Sequence, residues 1–174
     1  MSKGLIFVRV SDVLSSGRTL AAAREVNTRS LVDPVAMALL GVLCRETGAE
    51  VILAGTLYGR VGASPSAWNA VINELQLSLP IVDVISEAEG PLESFETAYL
   101  RRWLKAKRPA NVVLDTRPCD RPPAINELRW IQVDRRVGLS LGDCIQVLEH
   151  LAPQSPELIQ LRLIEADKMS TAGL

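Results

Sequence analysis

Short apolar runs, separated by longer segments with helical periodicity, set the pattern of this chain. Gly4-LIFVRVSDVL-Ser15 places five apolar residues in the six positions from Leu5 to Val10, interrupted by Arg9. Four further runs follow, Val51-ILA, Ile81-VDVI, Asn111-VVL and Arg129-WIQV. Their shortness and β-branching predict strands. Between them, Asp33-Pro34 opens VDPVAMALLGVLCRETG with an N-cap residue and a proline at the first helical position, and Gly48 supplies the stop. Ser64-Pro65 starts a second helix reaching about Leu75, and Leu92 to Lys107 reads as a third. Ser140-LGD has the form of a capping box before IQVLEHL. After Pro153, Ser155-Pro156-Glu157 caps a last helix with Leu158, Leu161, Ile164 and Met169 on one expected apolar stripe.

Strands alternating with helices require crossover connections. The expected fold is therefore a doubly wound α/β domain with a mostly parallel five-stranded sheet. In such sheets ligands bind beyond the carboxyl ends of the strands. Five places then need inspection: Arg9 to Asp12, Ala54 to Tyr58, Ser86 to Gly90, Asp115 to Asp120 and Asp134 to Arg136.

Composition narrows the classes. The 174 residues, 48% of them hydrophobic, suit one domain with a sizeable core, with residues 1–152 as the body and 153–174 as a helical extension. A net charge of −1 gives no basic field of the kind nucleic-acid or membrane-surface proteins carry. Cys44, Cys119 and Cys144 form no CxxC pair, so free thiols in a reducing cytoplasm are expected. The apolar run in MSKGLIFVRV is too short for a signal peptide, and no later run reaches 18 residues. A cytoplasmic protein without a membrane segment is the expectation.

Familiar catalytic signatures are missing: there is no GxGxxG, GxxxxGK[ST] or HExxH. GTLYGRVGASPS precedes a helix and could hold an anion, but its spacing also suits an ordinary loop. The single histidine, His150, falls near a helix end, where a surface or capping role is favoured. No other histidine exists to activate a cysteine. The five basic residues among Arg101 to Arg108 flank Trp103 and read as a solvated helix end rather than a phosphate patch. Asp115 closes the run NVVL and Asp120 follows it; one strand-end carboxylate is a common magnesium ligand, yet Mg²⁺ needs oxygens converging from several elements.

Laid out in order, LIFVRVSDVL, Asp33-Pro34, TGAEVILAGTLYGR, AYLRRWL, NVVLD and VDRRVGLSLGDCIQVLEHL resemble the haloacid dehalogenase (HAD) superfamily. Within it they are similar to the small HAD-like domain of the Swiss Army Knife RNA-repair type, met in phages and bacteria. The resemblance implies strand order 5-4-1-2-3 and no large cap domain. It also implies an Asp-x-Asp pair after the first strand: one aspartate attacks phosphorus, the other protonates the leaving group, and both help hold Mg²⁺. Here those positions fall on Arg9 and Ser11, the second-motif hydroxyl falls on Ala54 with Thr56 just after, and the third-motif base falls on Glu96. Asp115 alone stands where the family would have it. Using Asp12 instead leaves Leu14 or Val10 as its mate, and neither can do the chemistry.

The implied order makes the first and fourth strands neighbours. Arg9 is therefore expected to pair with Asp115, and with Glu96, in the place of the missing ion; the bland rival has Arg9 snorkelling to water. The leading functional expectation is a catalytically inactive HAD-like domain, phage- or prophage-encoded, engaging a host protein and needing no cofactor. One alternative is a Mg²⁺-dependent phosphohydrolase acting on a nucleotide or nucleic-acid end. The other is a non-catalytic receptor for a phosphorylated ligand through Arg9, Arg60 or Arg117; across these readings the ligand or ion-pair candidates are Arg9, Asp12, Thr56, Asp115 and Asp120.

Overall fold

The fold is taken from a computed structural model, which describes residues 4–17, 19, 32–54, 64–85, 110–116 and 128–171, with the backbone alone at 163 and 165–171. The expected helix at Leu92 to Lys107 lies outside these residues, as do Thr56, Arg60, Glu96, Arg117, Cys119 and Asp120. The described elements run β1 (Leu5–Arg9), α1 (Pro34–Thr47), β2 (Glu50–Ala54), α2 (Pro65–Glu74), β3 (Ile81–Ile85), β4 (Asn111–Asp115), β5 (Leu128–Gln132), α3 (Leu141–Leu151) and α4 (Pro156–Thr171).

All five strands are parallel and lie in the order β3-β2-β1-β4-β5, the expected order read from the other edge. Position in the sheet explains the strand compositions. Every residue of the inner strands β1 and β4 is buried, and their runs are nearly continuous in apolar residues. The outer strands β3 and β5 are buried only in part, with Val82 exposed on β3 and Arg129 and Gln132 exposed on β5.

Period-two alternation sorts the sheet into two apolar faces. On one, Ile6, Val8, Val51, Leu53, Val112 and Leu114 join the main core with Met37, Leu40 and Leu43 of α1, Trp68 and Ile72 of α2, and Val147 and Leu148 of α3. On the other, Leu5, Phe7, Ile52, Ile85 and Val113 cluster with Ala54, Leu128 and Trp130. The result is a doubly wound, Rossmann-like α/β domain.

The helix ends follow the sequence signals. Asp33 caps α1 through Val35 N–H at 2.8 Å and Ala36 N–H at 3.4 Å, with Pro34 at the start, and Gly48 closes the helix at φ 64°. Ser64 accepts from Ala67 N–H at the head of α2. Ser140 and Asp143 form the reciprocal capping box of α3. In α4, Leu158 and Leu161 are buried in the main core, but Ile164 is 46% exposed, which corrects the expected stripe. Steps of three residues in a helix of 3.6 per turn drift by about 60° each, so a third residue at that spacing has left the buried face. The side chain of Met169 lies outside the described set. Among the described residues, no helix is long and apolar enough to cross a membrane.

Cys44 and Cys144 are free and buried in the main core. Burial pushes both thiols up from 9.0 to about 12, and Asp143 adds to the rise at Cys144. Because the folded value is raised, the stability linked to the protonated thiols is complete below about pH 9 and is lost as pH climbs toward 12. At pH 8, iodoacetamide should leave both residues unmodified in native protein and modify both in urea, read by peptide mass spectrometry. Modification of the native protein at the unfolded rate would contradict this burial.

Candidate functional site

The carboxyl ends of the two central strands carry the charged pair of the site. Register sets Arg9 opposite Ala54 of β2, while β1 pairs with β4 as far as Val8 and Leu114. Arg9 and Asp115 are thus the next residues on neighbouring strands. The Arg9 Nε–H donates to Asp115 Oδ1 at 2.8 Å, with the two side chains only 8% and 4% exposed. Of the two fates considered for Arg9, the structure has the ion pair and not the solvated side chain. A charge-assisted bond of this length offsets part of the cost of taking two ions out of water.

Around the pair, Phe7, Ala54, Ile85, Val113, Leu114 and Trp130 line a pocket. Each of the five strands contributes to its wall. Phe7 and Arg9 are two residues apart on β1, and Val113 and Asp115 are two apart on β4, so alternation alone puts them on one face. Sequence reasoning singled out the charged members but not Phe7, Ile85, Val113 or Trp130. The same period-two count, carried from Arg9 and Asp115 back along their own strands, would have found Phe7 and Val113.

Beyond Arg9 the chain coils into a tight turn. Leu14 N–H and Ser15 N–H both donate to Val10 C=O, at 3.1 and 3.2 Å, and Asp12 takes the left-handed conformation at φ 68°, which short polar side chains tolerate. This turn holds Ser11 and Asp12, both half-buried. It is locked from two sides. Leu139 N–H donates to Val13 C=O at 3.1 Å and Gly17 N–H to Arg135 C=O at 3.2 Å, while Asp33 N–H donates to Leu14 C=O at 2.8 Å. A buried hydroxyl relay adds to the lock: Thr19 Oγ1 lies 3.2 Å from Ser16 Oγ and donates to Asp33 Oδ2 at 3.2 Å. Asp33 therefore serves the α1 cap with one oxygen and the relay with the other.

The structure thus brings together Arg9, Ala54 and Asp115, and carries Ser11 and Asp12 on the adjoining turn. Thr56, Glu96 and Asp120 fall outside the described residues.

The described residues do not suit the magnesium ion that the resemblance implies. Asp115, the one family-like carboxylate, is engaged by a guanidinium, which carries permanent positive charge and has no lone pair for a metal. Ala54 offers no side-chain oxygen. Among the described residues, no three His, Cys, Asp or Glu side chains converge as a metal site would require. No family model, curated protein or solved structure matches the chain.

Proposed function

We propose that this protein is a catalytically inactive HAD-like domain that works as a binding or regulatory module for another protein. One observation carries the reading: Arg9 lies in an ion pair with Asp115 at the point where the resemblance would place a nucleophile and its metal. A guanidinium cannot attack phosphorus, and its charge opposes a divalent cation at the same carboxylate. Among the described residues the rest of the wall is apolar, which suits contact and not proton transfer. Partner and biological setting, including the phage context suggested by the resemblance, are part of this proposal.

The test is phosphate release from a panel of phosphoesters and nucleotides with millimolar Mg²⁺. No release above the buffer rate is expected. Magnesium-dependent turnover abolished by Asp115→Asn and by Asp12→Asn would overturn the reading in favour of the phosphohydrolase.

A further inference from the structure

We draw no further inference here: the strongest candidate, the solvent-facing apolar surface of α4 with Ile159 63% and Ile164 46% exposed, carries nothing, because nothing in the structure shows what covers it.

Discussion

Replacing Asp115 by alanine lowers the free energy of unfolding by about 3–5 kcal/mol, measured from the urea midpoint at constant slope. The cost comes from what stays behind. Arg9 remains 8% exposed at a central strand end, its charge no longer compensated by the carboxylate at 2.8 Å. Arg9→Met takes the guanidinium from the buried carboxylate in the same way and costs a similar amount. The double variant, Arg9→Met with Asp115→Leu, recovers most of the loss, because two apolar side chains of similar volume carry no desolvation penalty. The expected signature is a large favourable coupling in the cycle. Single variants each within about 1 kcal/mol of wild type would mean that the pair is solvated, and the account of Arg9 as a buried counter-ion would be wrong.

Gly138→Ala is the second large effect, at about 2–4 kcal/mol, from left-handed strain and overpacking together. Gly138 has φ 78°, and a β-carbon there would lie 2.9 Å from both Val13 O and Ser16 Cβ. Backbone and a buried serine cannot retreat cheaply. The turn 134–139 must lift from the turn 10–17, weakening the bonds from Leu139 N–H to Val13 C=O and from Gly17 N–H to Arg135 C=O. Faster hydrogen exchange at those two amides accompanies the loss. Gly48→Ala is the control, since φ is 64° there and nothing lies within 4 Å of the added carbon. It bears the strain of about 1–2 kcal/mol without the collision. Equal losses at the two glycines would show that the close packing of the turns contributes nothing.

Much of the fold is legible in the chain because its signals are local. β-Branching and run length mark the strands, and Asp33-Pro34 with Gly48, Ser64-Pro65, and Ser140 with Asp143 mark helix ends through bonds that span no more than four residues. Alternation of the two element types then forces a parallel sheet. The Arg9 to Asp115 contact needed one further step, the strand order, which came from the resemblance and not from any local pattern. The pocket was harder to see. Ile85 and Trp130 sit on outer strands, where the apolar pattern is diluted by polar neighbours such as Asp83 and Arg129. The lock on the turn after β1 was out of reach, because it joins Gly17 to Arg135 and Val13 to Leu139 through backbone groups that every residue possesses. Ile164 shows the limit of periodicity itself, since regular spacing by three slowly walks off the face it starts on.

The place of β1 between β2 and β4 has a temporal side. Arg9 and Asp115 are 106 positions apart in the chain. At synthesis rates of roughly 5–20 residues per second, Arg9 is made about 5–20 s before its partner, longer than many small domains need to fold. During that interval β1, α1, β2, α2 and β3 can assemble, but one edge of β1 stays open and a guanidinium destined for burial must remain hydrated. The positive charge then discourages premature closure of that edge and another chain's strand from taking it. The residue that ends as half of an internal ion pair begins as a guard on a growing sheet, relieved when β4 arrives with its carboxylate.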